Sequence, residues 1–299
     1  MRNFSERFKF ILPNVIARLS SGFHQYFHSS SDVTTPSNIR LQGLEGFLEK
    51  VGIHKGSTLM VHSSWEQLNS GNFSVKDLID SLLKVVGSNG TLAMPAFPPY
   101  TSQVSGSVFD VCRTPSAGGL VTEAFRRYPG VVRSINLNHS VCALGPQSDF
   151  LTSEHHLSET SWDDLSPYYR LKEIDDAWVI GLGVGHRLKV ATSLHCVESK
   201  LWKENSYFNK LFAEEVYYSY KAKNGHIGKH CYRKRIGQIY TPKLAKYFTP
   251  NELVEEVIDG LEIYAIKAHK LINKAIKLGR EGKTMYIWPI PFKRNFSKR

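Results

Sequence analysis

The sequence has little of what marks a special class of protein. Among 299 residues there are only four cysteines, Cys112, Cys142, Cys196 and Cys231, far apart and never in a C-x-x-C pair. A chain of this size with scattered thiols reads as reduced and cytoplasmic rather than as a disulfide framework. No run approaches the roughly 18 uncharged apolar residues that a membrane-crossing helix needs. The start, MRNFSERFKFILPNVIARL, lacks a clean secretory core because Pro13, Asn14 and Arg18 interrupt it, so no cleaved signal is expected. Internal repeats and low-complexity tracts are absent.

What is there is ordinary for a globular enzyme: 41% hydrophobic and 22% charged residues, enough chain for one large domain or two small ones. The formal net charge of +11 points to an anionic partner: nucleic acid, an anionic membrane surface or a phosphorylated small molecule. Much of the excess sits at the ends, as in PIPFKRNFSKR. No aromatic-basic signature of a nucleic-acid module accompanies it, so no nucleic-acid partner is expected.

Phe4, Phe8, Ile11, Leu12, Val15, Ile16, Leu19 and Phe23 recur at helical spacing with basic residues between them. This predicts an amphipathic helix, kinked or restarted at Pro13, that packs on the body or on a second subunit. Peripheral contact with a membrane surface is the sharper reading. The polar run Ser29 to Asn38 reads as a linker, so residues 1–38 form an appended segment and 39–299 the main domain. From there strands and helices alternate. LQGLEGFLEKVGI is helical, STLMVHSS a buried strand, Asp77 to Val86 a helix closed by Gly87, and TLAMPAF a strand. Leu120 to Tyr128 is a helix, HSVCALG a strand, AWVIGL a buried strand, and a helical run begins at Thr192. Val216 to Tyr220 is a strand, GHIGKHCYRKRIGQIY two more with turns, and Asn251 to Lys277 one or two helices. The alternation argues for a layered α/β domain.

Several motifs carry chemistry, each against a blander reading. V-H-S-S, His62 to Ser64, ends a strand, where α/β sheets favour ligands; a serine helix cap is the plainer explanation. T-P-S-A-G-G, Thr114 to Gly119, opens a helix in a way that suits phosphate, but Gly-Lys-Ser/Thr does not follow, and capping by Thr114 or Ser116 is commoner. G-L-G-V-G-H, Gly181 to His186, lacks the last glycine of a dinucleotide fingerprint and reads as a tight turn. In T-S-L-H-C-V-E, His195 and Glu198 are three apart and share one helix face. An imidazole beside a carboxylate suits proton acceptance near neutral pH, while a surface pair is the bland reading. Cys196 points to a different face from His195 and is discounted as a nucleophile. His139 enters a strand in N-H-S. Among His139, His155, His156, His186 and His195 no H-x-x-x-H or H-E-x-x-H spacing occurs, so no metal is expected.

Taken in order, the blocks LMVHSSW, LIDSLLKVVGSNGTLAMPAF, FDVCRTPSAGGLVTEAFRRYPGVVRSINLNHSVCALGP, SPYYRL and VIGLGVGH…TSLHCVES resemble the aminoglycoside 3-N-acetyltransferase family, which is distinct from the small acetyltransferases with a split GxG signature. The resemblance covers most of Ser57 to Ser199 and is loose beyond Ser206. It implies an α/β/α sandwich with a central mixed sheet and a cleft for coenzyme A. It further implies direct transfer of an acetyl or similar acyl group to an amine without a metal. Residue by residue, it implies His195 as general base backed by Glu198, and His139 on the acceptor side. It places His62, Ser63 and Ser64 near the pantetheine or acyl end, and Thr114, Ser116 and Gly118 near the cofactor. Leu137-Asn138 stands where the family commonly has His-Pro, and WEQLNSGNF where many members have Gly-Trp, so the acceptor region is expected to differ. Family members that inactivate antibiotics bind polycationic drugs through acidic residues. The basic balance of this chain therefore favours a nucleotide-linked amino sugar of surface-polysaccharide assembly. An aminoglycoside acceptor is the first alternative and a non-catalytic binding protein of the same fold the second. A homo-oligomer is compatible with all three.

Overall fold

The short apolar runs bounded by glycine and small polar residues assemble into one mixed sheet. The structure is a computed structural model that describes residues 38–291 and Phe296. The amphipathic helix expected at the start and the polar run from Ser29 through Ser37 lie outside the described residues. The strands are β1 (Thr58–Ser63), β2 (Thr91–Pro95), β3 (Val108–Asp110), β4 (Val132–Arg133), β5 (Val141–Leu144) and β6 (Ala177–Leu182). They continue with β7 (Glu214–Lys221), β8 (Ile227–Lys234), β9 (Gln238–Ile239), β10 (Leu253–Ile258), β11 (Leu261–Lys267) and β12 (Tyr286–Trp288). The main sheet has the order β10-β11-β6-β1-β2-β5-β4. Its centre, β6-β1-β2, is parallel, and antiparallel strands flank it on both sides.

The parallel centre is buried along almost its whole length, as expected of strands covered on both faces. Alternation along each strand divides the side chains between two cores. Leu59, Val61, Leu92, Met94 and Ile180 face helices Leu41–Lys50, Val75–Val86 and Leu120–Arg126. Met60, Ala93, Val179 and Ile266 face Cys196–Leu201 and Ala268–Arg280. The result is the expected α/β/α sandwich around a mixed sheet. Local chemistry sets the helix limits. Ser74 accepts from Asp77 N at 3.2 Å while its own amide donates to the Asp77 carboxylate at 2.8 Å, a reciprocal cap that starts Val75–Val86. Gly87, at φ 64°, ends it in a conformation other residues adopt at a cost.

One stretch differs from the sequence reading. Asn251 to Lys277 is not one or two helices: it holds the hairpin β10–β11, and only Ala268–Arg280 is helical. The hydrophobics of LVEEVI and LEIYAIK pass at helical spacing, but Asp259 and Gly260 sit between them at φ 50° and 85°. Asp-Gly with both residues left-handed is the two-residue hairpin turn whose twist matches the strands. The hairpin places β11 against β6, pairing Tyr264 with Gly181.

Gly181 is therefore not part of a turn, as G-L-G-V-G-H implied, but lies inside β6. A Cβ there would come within 2.1 Å of the Tyr264 ring. Gly183 and Gly185, at φ 67° and 90°, make the turn. Two smaller sheets complete the chain, β3-β7-β8 and β12-β9. The segment leaving β8 and the strand β12 deliver Arg235 and Tyr286 to the site described below.

Because Tyr264 is fully buried and cannot swing out, Gly181→Ala should overpack this contact and lower stability by about 1–3 kcal/mol. Urea unfolding reads this as an earlier midpoint. An unchanged midpoint would show that the ring yields freely and that the close approach is incidental.

Candidate active site

Beyond β6 and its glycine turn the chain tightens into a 3-10 turn, Thr192–His195, which runs directly into helix Cys196–Leu201. That geometry puts residues three apart on one face. His195 Nδ1 lies 2.5 Å from Glu198 Oε1. A carboxylate only accepts, so the proton of this bond is on Nδ1 and Nε2 carries the lone pair. His195 Nε2 has no hydrogen-bond partner among the described residues, and its side chain keeps 9% exposure.

Glu198 is completely buried. The same Oε1 accepts from the Tyr286 hydroxyl at 2.8 Å, and Arg235 Nε stands 3.8 Å away. Arg235 also donates to the Ile236 and Gly237 carbonyls and, at 3.4 Å, to the Tyr286 oxygen. The second carboxylate oxygen, Oε2, is buried without a partner. Burial holds the Tyr286 phenol well above its ordinary range, so it stays a donor.

Aromatic rings lie against the imidazole. Trp162 lies 4.6 Å from His195 and 4.6 Å from His139, between centroids, and His139 and His195 are 6.4 Å apart. Phe97 also lies against His139, 5.3 Å between centroids. Burial lowers the His195 pKa below its usual value, and Arg235 lowers it further; Glu198 opposes them through its charge and hydrogen bond. Burial lowers His139 well below the usual value, with His195 and Arg235 adding to the effect. Both rings are therefore neutral near pH 7.

Of the residues singled out in the sequence, the structure brings His139, His195 and Glu198 together. His62, Ser63 and Ser64 occupy the carboxyl end of β1, where Ser64 N donates to Leu182 O at 3.0 Å. His62 is buried, with Nε2 unpartnered, and burial pulls its pKa down to about 4. Ser64 takes the cap position of the turn Trp65–Leu68, yet its hydroxyl makes no capping bond. The plainer reading of V-H-S-S thus holds for position and not for bonding. In T-P-S-A-G-G the hydroxyls are used locally: Thr114 Oγ1 accepts from Asp110 N at 2.9 Å and Ser116 Oγ from Gly118 N at 3.0 Å. The loop leans on the end of β2 through Ala117 N to Phe97 O, 2.8 Å. A Cβ at Gly118 would meet Pro95 O at 2.7 Å. No hydrogen bond joins these residues to His195. Cys196 is buried and its thiol is pushed well above its ordinary range by that burial, which removes it as a nucleophile. Among the described residues no group of His, Cys, Asp or Glu is arranged to hold a metal ion.

Sequence reasoning missed Trp162, Arg235 and Tyr286. No local spacing links them to His195, since Tyr286 is 88 positions from Glu198; only the tertiary fold does. Asn136 was also missed. Its side chain accepts from Asn138 N at 3.0 Å and His139 N at 2.8 Å, an Asx turn that aims the histidine. Asn138, one of the departures from the family pattern, donates to Ser161 Oγ at 2.9 Å and so ties this turn to the segment carrying Trp162.

A family model described as aminoglycoside 3-N-acetyltransferase matches residues 60–279. Aminoglycoside N(3)-acetyltransferase IV of Salmonella sp is 33% identical over 157 residues, covering 52% of this chain and 57% of that protein. The SPbeta prophage-derived aminoglycoside N(3′)-acetyltransferase-like protein YokD of Bacillus subtilis (strain 168) is 28% identical over 180 residues, covering 54% and 65%. The chain thus spans less than two thirds of the length of these curated relatives. Among solved structures, the apoenzyme of aminoglycoside acetyltransferase AAC(3)-IVa superposes with a TM-score of 0.64 at 25% identity, over 83% of this chain and 91% of that one. A histidine-to-alanine mutant of the same enzyme in complex with a gentamicin gives 0.66 at 26%, over 81% and 89%. AAC-IIIb with CoASH gives 0.68 at 19%, over 85% and 99%, a likeness of fold.

The buried histidines set the acid side of stability. His62 and His155 are held down to about 4 and about 3 by burial, against about 6.5 in an unfolded chain. Below pH 6.5 the unfolded chain therefore binds protons that the folded one refuses, so stability is full above 6.5 and falls as pH drops toward these values. His62 alone accounts for about 3 kcal/mol. Urea midpoints should fall steadily from pH 7 to pH 4; a flat profile would contradict the buried neutral state.

Proposed function

The chain belongs to the aminoglycoside 3-N-acetyltransferase family, and from that premise we propose that it moves an acetyl group from acetyl-coenzyme A to an amine of an aminoglycoside. The observation that carries this reading is the His195–Glu198 pair: a neutral imidazole with an unbonded Nε2, fixed from behind by a buried carboxylate. The names of the relatives favour the aminoglycoside over the nucleotide-linked sugar that the basic composition led us to expect, and no further observation supports a role in polysaccharide assembly.

In the proposed reaction His195 Nε2 takes the proton that the acceptor amine gives up as its nitrogen attacks the thioester carbon. An ammonium has no free pair, so the acceptor first gives its ammonium proton to solvent and reacts as the free amine; the proton that His195 takes is the second, released as the C–N bond forms. The new C–N bond forms and the C–S bond breaks on collapse of the tetrahedral adduct. The imidazolium then returns the proton to the departing thiolate. Glu198 fixes the Nδ1–H tautomer and balances the imidazolium while it lasts. His139, in contact with Phe97 and Trp162, lies on the acceptor side. The strand end at His62, Ser63 and Ser64 receives the pantetheine or acyl end, and the loop with Thr114, Ser116 and Gly118 the cofactor. Those loop hydroxyls accept local backbone bonds, which shapes the loop and leaves their own protons free to donate.

Release of coenzyme A thiol, followed with purified protein, acetyl-coenzyme A and two acceptor panels, tests the reading. Turnover is expected with aminoglycosides; turnover confined to nucleotide-linked amino sugars would reject the acceptor, and none with either would favour a binding protein. His195→Ala should lose at least about a hundredfold in kcat. Full activity in that variant would remove the histidine from the mechanism.

A further inference from the structure

Away from His195, a cleft of about 580 Å³ opens between the loop after β3, the end of helix Leu120–Arg126 and β4. Its lining includes Arg113, Arg126, Arg127, Arg133 and Lys223 and contains no carboxylate. None of the residues in contact with His195 lines it. We infer that this cleft is a second binding site, which takes a small phosphate-bearing anion of pyrophosphate size.

The charge in the cleft is only partly compensated. Glu123 pairs with Arg126 and Arg127, both within 2.8 Å, leaving one net positive charge on that trio. Arg133 is buried and spends its guanidinium on neutral groups: the Thr114 and Ala96 carbonyls and the Ser140 hydroxyl. No carboxylate forms an ion pair with it among the described residues, and burial draws its pKa down to about 10. Arg113 and Lys223 are exposed and their side chains make no ion pair or hydrogen bond among the described residues. A concave wall of net positive charge focuses field and favours a multiply charged anion over a monovalent one. Arginine forks suit phosphate oxygens in particular. The volume falls within the range of small-molecule sites. The Arg133 guanidinium also ties the cleft wall to Ala96, the residue before Phe97, so the two sites share a backbone partition and no lining side chain.

This site goes beyond the proposed acetyl transfer, and its test does not depend on turnover. Cys112 lines the cleft and is exposed, which makes its alkylation by iodoacetamide a local reporter, read by peptide mass spectrometry. Titration of the full chain with inorganic pyrophosphate at low salt should show saturable one-to-one binding and slowed alkylation of Cys112. The exposed double variant Arg113→Glu/Lys223→Glu should weaken that binding by about tenfold or more. Coenzyme A forms a second arm. If it also protects Cys112 and loses affinity in the double variant, the phosphates held are those of the co-substrate and the cleft is not a second site. If pyrophosphate protects and coenzyme A does not, the site serves a separate free anion, as inferred. Absence of saturable pyrophosphate binding, or binding and Cys112 alkylation both unchanged by the double variant, would overturn it.

Discussion

A carboxylate with no solvent exposure is the constraint around which the site is organised. Glu198 is out of contact with solvent, and its partners all reach one oxygen: the His195 imidazole, the Tyr286 hydroxyl and, at longer range, the Arg235 guanidinium. Each comes from a different part of the chain. His195 sits one turn before the carboxylate, Arg235 follows β8 and Tyr286 opens β12. The interaction therefore closes the fold as well as the site, because the sheets β3-β7-β8 and β12-β9 must both dock for these partners to reach the carboxylate. Removing one partner from such a network leaves a buried polar group unmatched, which costs more than the lost hydrogen bond itself.

The same arrangement decides the state of the imidazole. Three influences compete: burial and Arg235 favour the neutral ring, while Glu198 favours the charged one. The first two prevail, so the ring is poised to accept a proton, and the carboxylate is placed to steady the imidazolium once it forms. Trp162 lies against both histidines, 4.6 Å from each between centroids. A preorganised base of this kind needs little rearrangement during reaction.

The sequence reveals those parts of this design that depend on local periodicity and leaves out those that depend on long-range docking. The three-residue spacing of His195 and Glu198 was legible because a helical turn converts it into contact. The buried strands at Leu59, Leu92 and Val179 were legible as short apolar runs between small residues. The hairpin β10–β11 was not, because its apolar residues also fit a helix; the Asp259-Gly260 pair was the signal that separated the two. Tyr286 and Arg235 left no trace, since nothing in their neighbourhoods specifies a partner dozens of residues away. Gly181 misled for a related reason: a glycine motif suggests a turn, whereas its function is to admit the ring of Tyr264 from the neighbouring strand.

The central claim is that Glu198 holds His195 as the neutral tautomer protonated on Nδ1, leaving Nε2 free to accept. Nitrogen-15 NMR of histidine-labelled protein near pH 7, with the His195 signals assigned by comparison with His195→Ala, measures this directly. The account predicts a protonated, pyrrole-type Nδ1 and an unprotonated, pyridine-type Nε2. A signal showing the proton on Nε2, or both nitrogens protonated at that pH, would contradict it.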